Sequence, residues 1–385
     1  MKACGVSGAD GDVVLLELPG PPSPGPGQVL LGVEAAGVGP WDRLLNDAGW
    51  DVGLRPPAAL GVEGAGRVLA VGADAGEFAV GDRVLAHEAP LPGGSGFWAE
   101  RVLITAAHAA ACPRGLDPVL AGALPVNGLT ALQALEMLEL GRGQRLLVTN
   151  GGGATGSLAI QLAAAMGVEV TTTASGPAAH RLRGLGAAEI IDYHDPNWPG
   201  QARGGFDGAL TAAIGTAEAA LPLVRDGGRL CSLTSDAPAE ERGITSTNLY
   251  VRPDAAQLAQ LVKQVSEGTL QMTLGSEIGR GHGDVLGRGA GAVEADQAPD
   301  LVSGSPAAGP VAYRRNHAGQ VVAGDGGQFS GQVSSWAVTA VPRTSTSNSP
   351  GPGSGTGTLW LARLAGSELD ARIARMTRPG RTGSG

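Results

Sequence analysis

From Arg145 onward the chain repeats one rhythm: a short apolar or β-branched run, then a stretch with helical spacing, then another run. Arg145–Thr149, Glu169–Thr173, Ile190–Asp192, Phe206–Thr211 and Arg229–Leu233 read as strands. Thr155–Met166, Ala178–Leu185 and Thr216–Val224 read as the intervening helices. Strands separated by helices of this length lie side by side in parallel, and a parallel sheet needs helices on both faces to cover it. No other feature restricts the possible folds as strongly. Asp254–Ser266 adds a last helix, with Pro253 before it and Gly268 after it.

The first turn of this pattern is Gly151-Gly152-Gly153-Ala154-Thr155-Gly156, which satisfies G-x-G-x-x-G. In a chain with 64 glycines the pattern alone is weak. Its context makes it specific: Leu146-Leu147-Val148 leads into it and a helix with an apolar face leads out. The spacing has a physical basis. The first glycine permits a tight turn, the second lets a pyrophosphate approach the backbone, and the third lets helix and strand pack closely. The helix N-terminus then offers free N–H groups and about half a positive charge to the phosphates. The competing reading is a glycine-rich turn with no ligand.

The second strand distinguishes the nicotinamide cofactors. NAD sites hold the ribose diol with an acid about 20 residues beyond the motif. Here the strand ends Thr171-Thr172-Thr173-Ala174-Ser175-Gly176-Pro177, with no Asp or Glu. Ser175 is placed to donate to a 2′-phosphate, and either Arg181 or Arg183 to supply charge. The expected cofactor is therefore NADP(H).

The N-terminal part differs. Val13–Leu18, Gln28–Val38, Gly61–Val71, Arg83–Ala86 and Phe97–Ile104 read as short strands between Gly/Pro turns, as in a small β-rich or barrel-like unit. Residues 117–138 read as helix interrupted at Pro125. Beyond about Ser276 periodicity fails, and Arg343–Thr358 is rich in Ser, Thr, Gly and Pro. That tail is expected to be disordered or to reflect a reading-frame change. The chain thus divides into a β-rich domain at 1–122, a dinucleotide domain at 123–250, a return segment at 251–275 and a tail at 276–385.

Composition removes several alternatives. The formal charge is −9, which argues against a nucleic-acid or membrane partner. Lys2 and Lys263 are the only lysines and no Gly-Lys-Ser/Thr exists, which disfavours P-loop and Schiff-base chemistry. Cys4, Cys112 and Cys231 are odd in number and far apart, fitting a reducing compartment better than a disulfide framework or a four-cysteine zinc site. No apolar leader follows Met1 and no run reaches the length of a membrane span, so a cytoplasmic location is expected.

Several segments together resemble the medium-chain dehydrogenase/reductase superfamily, and within it the zinc-free quinone oxidoreductase (zeta-crystallin-like) branch. They are Gly61-Val62-Glu63-Gly64-Ala65-Gly66-Arg67-Val68, Gly81-Asp82-Arg83-Val84, Leu124-Pro125-Val126-Asn127-Gly128-Leu129-Thr130-Ala131, the glycine loop, Leu185-Gly186-Ala187-Ala188-Glu189-Ile190-Ile191-Asp192-Tyr193, and Val251-Arg252-Pro253-Asp254. Together they run in the expected order through residues 1–275. The resemblance implies an α/β chain: a GroES-like β-rich catalytic domain plus a Rossmann doubly wound parallel sheet, with the active site in the cleft between them. It implies NADPH as hydride donor to a quinone or α,β-unsaturated carbonyl. An enoyl-thioester reductase and a non-catalytic NADPH-binding protein are the alternatives. By matching position, Thr130 falls near the nicotinamide, Tyr193 near the adenosine and Arg252 near the phosphates. The cofactor set is then Thr130, Gly151, Gly153, Ala154, Thr155, Gly156, Ser175, Tyr193 and Arg252. Relatives commonly form homodimers through an edge of the cofactor sheet.

Zinc-dependent relatives carry Gly-His-Glu where this chain has Gly61-Val62-Glu63, and a cysteine ligand is missing from Gly37-Val38-Gly39-Pro40-Trp41-Asp42. No metal is therefore expected. Other departures are Gly39 where many relatives have Asn, and Ala178 where a lysine can meet the 2′-phosphate. Trp41, Trp50 and Trp98 are candidates either for an aromatic substrate pocket or for plain core packing. No residue is compelled as proton donor. Relatives end in a strand that completes the first domain, and Asn316–Val322 is a faint echo of it.

Overall fold

The computed structural model describes residues 1–8, 13–46, 51–274, 276–279, 289–290 and 311–314. The β-rich part comprises β1 (Lys2–Val6), β2 (Val14–Glu17), β3 (Gln28–Val38), the short helix α1 (Pro40–Asn46), β4 (Ala58–Ala59), β5 (Glu63–Val71), β6 (Arg83–His87), β7 (Arg101–Thr105) and β8 (Ala109–Ala111). β3 is the hub: β5 and β7 flank it antiparallel, and β6 and β8 continue outward from β5. β1, β2 and β4 form a separate three-stranded sheet.

The glycines of β5 and its approach are explained by packing. A Cβ on Gly61 would overlap the indole of Trp98, one on Gly64 the ring of Phe97, and one on Gly66 the backbone of Gly32. The glycine-rich segment is thus a seat for two aromatic rings in the core of this domain.

Helix α2 (Pro118–Leu138) leads to the second domain. It is long and apolar enough to cross a bilayer, but it is mostly buried inside the fold. There follow β9 (Arg145–Val148), α3 (Ala154–Ala165), β10 (Glu169–Ala174), α4 (Gly176–Gly184), β11 (Ala187–Asp192), α5 (Trp198–Gln201), β12 (Phe206–Thr211), α6 (Ala217–Ala220), β13 (Val224–Ser232), β14 (Thr245–Asn248) and α7 (Ala255–Ser266). The six strands pair in the order β11-β10-β9-β12-β13-β14, every pair parallel. This is the doubly wound arrangement, whose order reverses between β9 and β12.

The expected helix at 216–224 is much shorter. α6 stops at Ala220, a 3₁₀ turn covers Leu221–Leu223, and β13 already begins at Val224. Pro222 is the reason: it has no N–H to donate, and its ring blocks the preceding turn.

Three short strands follow: β15 (Ser276–Gly279), β16 (Gly289–Ala290) and β17 (Val311–Arg314). β17 runs antiparallel to the end of β3, with Val311 opposite Val38 and Ala312 opposite Gly37. A return strand against the first domain therefore comes from 311–314. The Asn316–Val322 stretch and almost all of the expected tail lie outside the described residues.

Candidate functional site

The crevice of a doubly wound sheet lies beyond the carboxyl ends of its strands, where the order reverses. Here that point carries the glycine loop. Its left-handed residue is Asn150 (φ 57°), not Gly151. Gly151 is needed for a different reason: a Cβ there would overlap Thr172 Oγ1 and come within 2.8 Å of Ile160 Cδ1. At Gly156 a Cβ would overlap the Asn150 carbonyl and sit 2.9 Å from Gly151 Cα, so the close helix–turn packing expected of the third glycine is present.

Two consecutive threonines of β10 hold this turn. Thr172 Oγ1 donates to the Val148 carbonyl at 2.8 Å. Thr173 Oγ1 accepts from the Asn150 N–H at 3.0 Å, and the Thr173 carbonyl accepts from the Gly151 N–H at 2.9 Å. Asn150 Nδ2 donates across the crevice to the Ala212 carbonyl at 3.1 Å, and Thr149 Oγ1 accepts from the Ala212 N–H at 3.0 Å. The loop is therefore anchored to β10 on one side and β12 on the other. Gly153 is the N-cap residue of α3 and no side chain caps that helix, so the site offers main-chain amides and the positive end of the helix dipole. Ala154, Thr155 and Gly156 form the first turn of α3. That arrangement fits a diphosphate.

Of the other predicted positions, Ser175 and Tyr193 follow the carboxyl ends of β10 and β11, while Thr130 lies on α2 and Arg252 between β14 and α7. Thr130 is half-buried on α2. Three residues before it, Asn127 accepts from Thr155 Oγ1 at 2.8 Å through Oδ1 and donates to the Ala123 carbonyl through Nδ2. Three residues after it, the buried Gln133 grips the backbone of Arg252. Its Oε1 accepts from the Arg252 N–H at 3.0 Å and its Nε2 donates to the Arg252 carbonyl at 2.9 Å. Arg252 itself is exposed, its main chain fixed and its guanidinium at the surface. Ser175 is buried at the N-cap of α4. Tyr193 follows β11 and lies against the His194 ring, with centroids 4.3 Å apart.

Asn127, Gln133 and Asn150 were not singled out by sequence reasoning. For the first two a signal existed: Asn127, Thr130, Gln133 and Glu136 are the polar residues of an otherwise apolar helix, and they recur every third position.

A second polar cluster lies under the β-rich domain. Glu63, Asp42 and His87 are all buried. Glu63 Oε2 accepts from the Val126 N–H at 2.7 Å, in the turn of α2 that Pro125 disrupts. Burial pushes the Glu63 carboxyl well above the usual range; the Val126 N–H opposes this and the neighbouring Asp42 adds to it. Burial likewise raises Asp42 to about 8, against the amides of Gly39 and Gly61. Asp42 Oδ2 accepts from the Gly39 N–H at 2.8 Å, so it braces the first turn of α1. Burial lowers His87 to about 4, and its Nδ1 lies 3.0 Å from the Val62 carbonyl.

Of the tryptophans, Trp98 belongs to the core and its Nε1 donates to the Gly37 carbonyl at 2.9 Å. Trp50 lies outside the described residues. Trp41 folds back so that a Cβ on Gly39 would overlap its indole. This bears on zinc: Gly39 and Val62 carry no donor atom, and a cysteine side chain at 39 would meet the indole. These residues do not fit a catalytic zinc.

Residues 25–114 match the family described as Alcohol dehydrogenase GroES-like domain, and residues 185–279 match Zinc-binding dehydrogenase. The chain is 36% identical over 183 residues to a quinone oxidoreductase of Pseudomonas aeruginosa, covering 46% of this chain and 54% of that protein. It is 33% identical over 217 residues to a chloroplastic NADPH-dependent alkenal/one oxidoreductase of Arabidopsis thaliana, covering 54% and 55%. The chain thus spans about half the length of these curated relatives. Among solved structures, the quinone oxidoreductase from Coxiella burnetii superposes with a TM-score of 0.70 at 26% identity, covering 82% of this chain and 99% of that one.

Proposed function

The chain belongs to the medium-chain dehydrogenase/reductase superfamily, and from that premise we propose that it is a zinc-independent, NADPH-dependent reductase of quinones or α,β-unsaturated carbonyls. One observation carries the reading: an uncapped helix N-terminus behind a glycine loop, placed where the order of a six-stranded parallel sheet reverses.

When bound, the reduced nicotinamide supplies the hydride. The protein's own work is binding and orientation. Loop amides hold the diphosphate, Arg252 adds charge beside it, and Asn127 fixes Thr155 one turn from Thr130. Thr130, half-buried on α2, orients the reacting ring. The selection of NADPH rests on the end of β10, where Ala174 is followed by Ser175 and no carboxylate stands to hold a ribose diol. A quinone that has accepted the hydride needs one proton to become the hydroquinone, and solvent can supply it, so this chemistry needs no dedicated acid. Proximity does most of the work in such a step. The outer edge of β14 has no partner strand among the described residues, and we propose it as the edge through which two copies pair.

The test is NADPH oxidation with 9,10-phenanthrenequinone and, separately, with crotonyl-CoA. Turnover with the quinone supports the proposal, and turnover with the thioester alone transfers the assignment to an enoyl reductase. NADPH binding without oxidation by either acceptor would identify a cofactor-binding protein that does not turn over.

A further inference from the structure

A doubly wound sheet takes a dinucleotide in two halves, one on each side of the point where the strand order reverses. The glycine loop and β10 serve the adenosine side, so the loops after β12 and β13 border the nicotinamide side. One carboxyl ties those two loops together. Asp236, half-buried in the loop after β13, accepts through Oδ2 from the Gly215 N–H of the loop after β12, at 2.7 Å. Through Oδ1 it accepts from Ser232 Oγ at 2.5 Å and from Thr234 Oγ1 at 2.8 Å. Ser232 is buried and ends β13. The two hydroxyls are local to the turn, whereas the Gly215 bond spans 21 residues of chain.

The other side of the loop after β12 is held separately. Ala212 is fixed to Thr149 and Asn150 at the end of β9, and Thr216 Oγ1 lies 2.9 Å from Thr149 Oγ1. Beside Asp236, the exposed Ser235 stands in the left-handed region at φ 59°, and its hydroxyl donates to the Tyr250 hydroxyl at 3.2 Å. A serine persists there only where its surroundings impose the conformation, and such strain gathers at ligand clamps.

We propose that Asp236 is a positioning residue: by clamping the loop after β12 to the loop after β13, it holds the nicotinamide half of the cofactor in place for hydride transfer. This rests on the dinucleotide reading above and deepens it. Thr149 and Asn150 anchor the glycine-loop side without Asp236, so loss of the carboxyl loosens the nicotinamide side alone.

Calorimetric titration of the full chain, Asp236→Ala and Asp236→Asn with NADPH and with 2′,5′-ADP tests it, with turnover of 9,10-phenanthrenequinone as a second readout. Asp236→Ala should bind NADPH about tenfold more weakly, the order of one lost hydrogen bond. 2′,5′-ADP, which has no nicotinamide half, should change by less than about twofold. A misplaced ring also costs rate, so kcat should fall about tenfold or more. Asp236→Asn should recover most of both losses, since its Oδ1 can accept from the Gly215 N–H while its Nδ2 donates to the two hydroxyl oxygens. Equal weakening of both ligands in Asp236→Ala would make the residue a general brace and overturn the inference, as would unchanged NADPH binding and kcat. Should Asp236→Ala lose its circular dichroism spectrum, the same titrations are judged on Thr234→Val, where a loss of NADPH affinity of about threefold is expected with 2′,5′-ADP unchanged. If the unaltered protein binds neither ligand, the dinucleotide reading itself fails and takes this inference with it; if it binds both and the variants show no selective loss, only this inference fails.

Discussion

At Gly153 a side chain is conformationally permitted, since φ is −70°. The nearest atoms that a Cβ there would meet all belong to Asn150, at 3.2 Å or more. Gly153→Val should therefore leave the fold intact while its methyl groups crowd the amides of α3. The expected result is an unchanged circular dichroism spectrum with loss of NADPH binding by calorimetry. Gly156→Ala should behave in the opposite way. Its Cβ overlaps backbone that cannot move aside, and overpacking of that kind costs about 1–3 kcal/mol. A lowered urea midpoint would register it. The two glycines look alike in the motif, and only their neighbours separate ligand clearance from packing clearance. Asp42 offers a test by pH. Its folded pKa of about 8 lies above the ordinary 3.8, so the native state holds an extra proton between those values. Its contribution to stability is fully present below about pH 4 and is lost as pH rises toward 8. Glu63, also raised, acts in the same direction. His87 is lowered, so its contribution is present above pH 6.5 and is lost as pH falls toward 4. Above pH 6.5 the carboxyls dominate. Asp42→Asn keeps an acceptor for the Gly39 N–H and removes the titration. Its melting temperature should fall less between pH 6.5 and 8 than that of the unaltered protein, by on the order of a few degrees.

At the scale of elements, α2 connects the two halves of the molecule. Gly122 lets it approach β3, where a Cβ would lie 2.8 Å from Ala35 backbone, and Gly128 lets it approach Leu261 of α7. Helix propensity alone says that Gly122→Ala stabilises, by roughly 1 kcal/mol. The clash with β3 backbone costs about 1–3 kcal/mol and should win, so chemical denaturation should show net destabilisation. The polar stripe of α2 makes a second prediction. Gln133→Leu keeps volume and burial but leaves the Arg252 N–H and carbonyl without their clamp, each worth about 1–3 kcal/mol if it stays buried. On the proposed role of Arg252 in binding, KM for NADPH should rise more than kcat falls. The strands and most helices were legible as elements, since period-2 and period-3.6 patterns are local. α6 was misread because Pro222 cut it short after a promising start. The partners of the α2 stripe were not legible, because each one comes from a distant part of the chain.

For the molecule as a whole, the dinucleotide reading predicts linkage. NADPH at about a hundred times its dissociation constant should stabilise the folded state by about 2.7 kcal/mol, a rise in melting temperature on the order of 5 °C. The same addition to Gly153→Val should produce no rise. The sequence by itself determined the class of fold, the glycine loop and the lack of an acid after β10, because each depends on residues close together in the chain. It also showed that no zinc ligand stands at 39 or 62, since that is a matter of residue type alone. Only the tertiary structure decided which glycines clear a ligand and which clear a neighbour, and why Glu63, Asp42 and His87 depart so far from their ordinary protonation. Contact and desolvation depend on what packs within a few ångströms, and in a doubly wound sheet those neighbours come from strands and helices far apart in the chain.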